Sequence, residues 1–269
     1  MSSMIRALTK TLAACLALAL PLQPAQAEEP VRAELRPGWR LPNGDHMAAL
    51  HLSLAPGWKT YWRAPGDAGI PPSFDWKGTR NARDIAVLWP TPHVFWQSGM
   101  RSVGYKGDLV LPIRITPGNK GEITLKTEMQ MGLCSDICVP HTLRIDATLP
   151  AEGSTPDPMI ASALASAPFS RGEASVRAVR CSVRPVDGGV SLRAEIDMPR
   201  AGAEEEAVVE SGQPTVWAAE PQTRREGGTL VTETKLMHMD GKPFMLDRSR
   251  LRFTVLGSEH AVDIQGCDS

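Results

Sequence analysis

Eight short stretches in which apolar and polar residues alternate leave this chain little choice but to form β-sheet. They are HMAALHLSL (46–54), DLVLPIRI (108–115), EITLKTEM (122–129), TLRIDATL (142–149), GVSLRAEIDM (189–198), EAVVE (206–210), TLVTETKLM (229–237) and RLRFTVL (250–256). Strand side chains repeat every two residues, so the apolar members of each run share one face and can be buried while the other face meets water. Gly, Pro, Asn and Asp separate the runs and turn the chain back on itself. The predicted class is all-β, built of sandwiches.

One helix interrupts the strands. Asp157 can cap it, Pro158 suits its first position, and MIASALASA continues until Pro168. The preceding LPAEGSTPDP has the composition of a linker. The predicted organisation is a first β domain over residues 28–150, a linker with a short helix over 151–174, and a second, smaller β domain over 175–269. NGDHMAALHLSLAPG near 43 and DGGVSLRAEIDMPRAG near 187 share a turn, an alternating strand and a Pro/Gly break, a faint echo of duplication.

Residues 1–27 read as a cleavable secretory signal peptide: Arg6 and Lys10, then TLAACLALALPL, then AQA ending at Ala27. The apolar core is about a dozen residues, short of the roughly 20 needed to span a bilayer. LAAC at 12–15 resembles a lipoprotein cleavage box, but the apolar stretch runs on past Cys15, where such a box should close it. With the leader removed, 27 basic against 30 acidic residues leave a formal charge of −3, which gives no electrostatic reason to expect nucleic acid. The mature protein is expected to be periplasmic, with no membrane span.

Four of the five cysteines then remain: Cys134, Cys138, Cys181 and Cys267. An even count in an exported protein suggests disulfides. Three pairings are possible, and spacing favours Cys134 with Cys138 and Cys181 with Cys267. Extended strand would hold residues four apart about 13 Å from each other, beyond the roughly 4.4–6.8 Å between Cα atoms that a disulfide tolerates. The chain must therefore reverse at Ser135 and Asp136, with the two sulfurs facing each other at a hairpin tip. On loop-closure entropy the tight bridge is worth about 2 kcal/mol and the wide one about 4.6 kcal/mol. The Cys181–Cys267 bridge is accordingly read as structural, and the Cys134–Cys138 pair as serving chemistry.

Copper is the rival use of the same segment, because Met129, Met131, Cys134, Cys138 and His141 are soft or borderline ligands. Met129 and Met131, however, share a strand face with Ile123 and Leu125 and read as core. Six of the seven tryptophans (Trp39, Trp58, Trp62, Trp76, Trp89 and Trp96) lie in the first domain, either filling a small sandwich or forming a recognition surface.

The runs LVLPIRITPG and EITLKTEMQMGLCSDICVPHTLRIDATLP, with GWKTYWRAPGDAGIPPSFDW upstream, resemble the periplasmic N-terminal domain of the thiol:disulfide interchange protein DsbD and its ScsB-like relatives. The resemblance covers roughly residues 35–150 and is most specific at CSDICVP. It implies an immunoglobulin-like sandwich that relays electrons by thiol-disulfide interchange, as a protein-disulfide reductase. Cys134 and Cys138 would be the redox pair, Cys138 attacking a partner's disulfide and Cys134 resolving the mixed intermediate. It also implies an aromatic cap over the pair, placed by position at Phe95 and Trp96. The partners implied are a membrane thiol transporter as electron donor and a periplasmic thioredoxin-fold protein as acceptor, and no cofactor is expected. The C-x3-C spacing is tighter than in the enteric relatives. The sequence shows neither their membrane segment nor their C-terminal C-x-x-C domain, so electrons are expected from a separate protein. Two alternatives remain: a copper-binding module using Cys134, Cys138 and His141, and a non-enzymatic interaction domain with structural disulfides.

Overall fold

The computed structural model describes residues 29–97 and 99–268; the segment read as a signal peptide lies outside them. The strands that come first along the chain are β1 (Val31–Arg40), β2 (His46–Leu54), β3 (Lys59–Tyr61), β4 (Ser73–Asp75), β5 (Asp84–Val87), β6 (His93–Gln97), β7 (Met100–Lys106), β8 (Asp108–Thr116), β9 (Ile123–Cys134) and β10 (Cys138–Leu149). Helix α1 (Pro158–Ala165) follows. The later strands are β11 (Phe169–Ser170), β12 (Ala178–Val186), β13 (Gly189–Asp197), β14 (Glu205–Glu210), β15 (Val216–Ala218), β16 (Gln222–Glu226), β17 (Thr229–His238), β18 (Arg252–Gly257) and β19 (Ala261–Gln265). Each of the eight alternating runs overlaps one of these strands. The fold is all-β, an immunoglobulin-like sandwich followed by a second sandwich, with one linking helix.

In the first sandwich, a sheet of order β1-β2-β8-β5 packs against one of order β10-β9-β3-β7-β6, with β4 added beside β9. β9 shows how the alternation is spent. Ile123, Leu125, Met129, Met131 and Leu133 are buried, meeting Leu50 and Leu52 of β2 and Leu111 and Ile113 of β8. Each such side chain contributes roughly 1.5–3 kcal/mol on leaving water. Trp62 is fully buried, while Trp58, Trp76 and Trp89 pack on the same core. Trp96 is the exception at 59% exposed. Strand β1 shifts register between Arg36 and Trp39. Gly38, at φ 67°, allows that bulge, since a Cβ there would collide with the Met47 carbonyl.

Helix α1 begins where its cap predicts. The Asp157 carboxylate accepts from the amides of Met159 and Ile160 and also from Arg36 Nε at 2.7 Å. Its buried Ile160 joins Trp39, Met47 and Ala49, so the helix is laid on the outside of the first sandwich.

The second sandwich pairs a sheet of order β11-β19-β18-β14 with one of order β12-β13-β17-β15, β16 also pairing with β17. A disulfide between Cys181 on β12 and Cys267, just past β19, ties the two sheets together. The sandwiches are not separate bodies. Val208, Leu256 and Ala261 of the second belong to the core of the first. Arg63 pairs with Glu210 at 2.9 Å, and Arg101 with Glu206 at 2.6 Å. A cleft of about 630 Å³ lies where they meet, and the loop from Arg63 to Pro71 forms one of its walls.

Candidate redox site at a hairpin tip

The β9–β10 hairpin puts two sulfurs together by register alone. Pairing runs without a slip from Ile123↔Leu149 to Cys134↔Cys138, leaving Ser135, Asp136 and Ile137 as the turn. The Ser135 amide donates to the Ile137 carbonyl and closes it. The two cysteines are disulfide-bonded with Cα atoms 4.1 Å apart. Their surroundings differ. Cys134 is 2% exposed, whereas Cys138 lies open to solvent.

Alternation along β9 explains the asymmetry. Leu133 and Met131 face the core, so Cys134 and Gly132 face the outer side of the sheet. There they are covered by Tyr61 and the loop beyond it. The Tyr61 hydroxyl lies 3.0 Å from Cys134 Sγ, 3.0 Å from Cys138 Sγ and 3.2 Å from the Ala68 carbonyl. Burial raises the Tyr61 pKa, so the phenol stays protonated and can donate. Gly132 supplies the room, because a Cβ there would stand 2.7 Å from the Tyr61 ring and 2.9 Å from Ile70.

Lys59 is the direct cross-strand partner of Cys134. It is buried, and its Nζ donates to Gln97 Oε1 at 3.0 Å and Ser102 Oγ at 3.3 Å. Gln97 in turn donates to the Ser135 carbonyl at 3.1 Å, so the β6–β7 hairpin is fastened to the cysteine hairpin. Phe95 and Trp96, expected in a cap loop, lie in strand β6 of that same hairpin. The Phe95 ring is half-buried beneath two ammonium groups, Lys106 Nζ at 4.7 Å and Lys59 Nζ at 5.6 Å from its centroid. Trp96, paired with Arg101, alternates to the opposite face of that sheet from Phe95; it is exposed, and with Met100 and Ile137 it gives the two hairpin tips exposed apolar side chains.

Of the three residues in the copper alternative, the histidine lies elsewhere. His141 pairs with Met131 and so faces the side of the hairpin opposite Cys138. Among the described residues no three His, Cys, Asp or Glu side chains gather as a cation site. Sequence reasoning passed over Tyr61, Lys59, Gln97 and Gly132. The available signal was Tyr61 itself, one of only two tyrosines, placed within a Trp-rich segment.

Fold and site together define a two-sandwich β-protein that presents a disulfide asymmetrically at a hairpin tip. Residues 23–150 match the family described as "Thiol:disulfide interchange protein DsbD, N-terminal", and this part of the chain is a DsbD N-terminal-like domain. The fold also resembles the crystal structure of the N-terminal periplasmic domain of ScsB from Proteus mirabilis, with a TM-score of 0.64 at 22% identity. That likeness covers 87% of this chain and 91% of the other, so it takes in both sandwiches. No curated protein matches the sequence. Among the described residues no helix is long and apolar enough to cross a membrane.

Proposed function

We propose that this protein is a periplasmic electron relay that exchanges thiols for disulfides through Cys134 and Cys138. The observation that carries this reading is the asymmetry of the bridge, with one sulfur residue open to solvent and its partner buried beneath a phenol hydroxyl that can hydrogen-bond to both. An accessible sulfur can form a mixed disulfide with another protein. A buried one is sheltered from side reactions and remains within reach to resolve it.

In the reduced protein, the Cys138 thiolate attacks a client disulfide. A bond forms between Cys138 and one client sulfur, and the other client sulfur leaves as a thiolate. Cys134 then attacks Cys138 Sγ, closing the bridge and releasing the client as a dithiol. Two electrons have passed to the client, and a thiol-bearing membrane protein restores them. The exposed Trp96, Met100 and Ile137 provide apolar contact area for such partners, of which a thioredoxin-fold protein is the expected acceptor.

Cysteine trapping tests the scheme. Cys134→Ser should accumulate a mixed disulfide through Cys138 in periplasmic extracts, while Cys138→Ser should accumulate none. Equal trapping by both variants, or by neither, would remove the support for a directed relay.

A further inference from the structure

Lys59 is out of keeping with its surroundings. It lies on the outer face of the sheet, 7% exposed, and its ammonium is held by two neutral oxygens rather than by a carboxylate. Lys106 on β7 stands across from it in the sheet and adds a second positive charge, with Phe95 packed against both. Around this patch also stand Tyr61 on β3, kept neutral by burial, His93 beside Phe95, Asp136 at the hairpin tip, and Asp67 in the loop over Tyr61, whose carboxyl pKa is raised by burial. A buried cation without a counter-charge costs free energy. On the other side of Lys59, directly across the β3–β9 ladder, is Cys134. Cross-strand partners share a face, with Cβ atoms about 4.5–5.5 Å apart.

We infer that Lys59 is the counter-charge for the thiolate that forms on Cys134 when the bridge opens. The inference rests on the exchange reading above and assigns this chain's own means of driving it. A donor dithiol attacks through one thiolate at the open Cys138 sulfur. The new S–S bond forms there, the Cys134–Cys138 bond breaks, and the electron pair departs on Cys134 Sγ. Lys59 sits directly across the ladder from that charge, its ammonium now held on the β6–β7 side by Gln97 and Ser102, and the Tyr61 hydroxyl can donate to it, so the leaving sulfur need not be protonated as it departs. The donor's second thiol then displaces Cys138, and the donor departs as a disulfide. The two protons it gives up reach the new dithiol through solvent. The missing counter-charge of the oxidised state is thus supplied by reduction itself.

The burial that now lowers the Lys59 pKa, with Lys106 adding to it, is the cost the thiolate would relieve. By the same coupling, Lys59 favours the ionised sulfur, and an opposite charge brought within about 4–6 Å moves a thiol pKa by about one unit or more.

The test uses the mature chain, reduced and freed of reductant, with thiolate followed by ultraviolet absorbance against pH. In Lys59→Met, the lower of the two thiol titrations of the tight pair should move up by about one pH unit or more. Reduction of its bridge by dithiothreitol near neutral pH should slow about tenfold, while Lys59→Arg stays close to the parent. Lys59→Gln provides a second uncharged variant if the Met form does not fold. A Met or Gln variant that folds and titrates as the parent does would overturn the inference while leaving the exchange reading intact. An Arg variant shifted as far as the Met variant would also overturn it, since shape rather than charge would then be responsible. A parent bridge that dithiothreitol cannot open would instead remove the exchange reading itself.

Discussion

Tyr61 does at the level of one side chain what the strand ladder cannot, because its hydroxyl reaches both sulfurs and the Ala68 carbonyl together. Replacing it with Phe keeps the ring against Gly132 and removes only the donor. A hydrogen bond to a charged group is worth about 1.5–3 kcal/mol, so Tyr61→Phe should slow dithiothreitol reduction of the tight bridge about tenfold or more. An unchanged rate in a folded variant would deny the hydroxyl any part in opening the bridge. The cysteines were legible in the sequence because a four-residue spacing forces a reversal whatever lies around it. Tyr61 was not, since it meets Cys134 across 73 positions of chain and no local period announces that contact. The same holds for Lys59 and Gln97, whose meeting depends on how the β6–β7 hairpin lies.

Strands and their ends account for most of what the alternation could and could not reveal. Long alternating strands such as β2, β9 and β17 announce themselves, whereas β3, β4 and β15, each three residues long, are too short to display a period. Helix α1 was readable because the information lies in its cap, Asp157, and its first residue, Pro158. The stretch after β19 is a different case, where a carboxylate reinforces the Cys181–Cys267 bridge. Asp268 accepts from Arg171 at 2.7 and 2.9 Å and from the Val179 amide at 2.8 Å. The Arg171 hydrogen bond foremost, with the amide, lowers the Asp268 pKa from 3.8 to about 2. A carboxylate depressed on folding stabilises at pH above its unfolded value, and that contribution is lost as pH falls through the folded one. Melting temperature should therefore exceed that of Asp268→Asn at neutral pH. The gap should narrow as pH falls from 3.8 towards about 2, which thermal melts across that range would check.

For the molecule as a whole, the two disulfides divide the labour. The Cys181–Cys267 bridge spans 86 positions and joins the sheets of the second sandwich, whereas the tight bridge spans four and joins a hairpin to itself. Replacing both Cys181 and Cys267 with Ser should cost about 2–5 kcal/mol in chemical denaturation. The rate at which Cys134–Cys138 is reduced should stay at the parent value. A slower or faster tight bridge in that variant would mean that the second sandwich reaches the site through its own packing. Composition and linker chemistry pointed to two modules, but not to how they join. Val208, Leu256 and Ala261 read as ordinary members of their own strands, and nothing in their spacing says whose core they complete. Because those three side chains belong to the neighbour, severing the chain after β10 would bare an oily scar on each piece. The second module must therefore keep to the shape of the first, and the linker acts less as a hinge than as a seam.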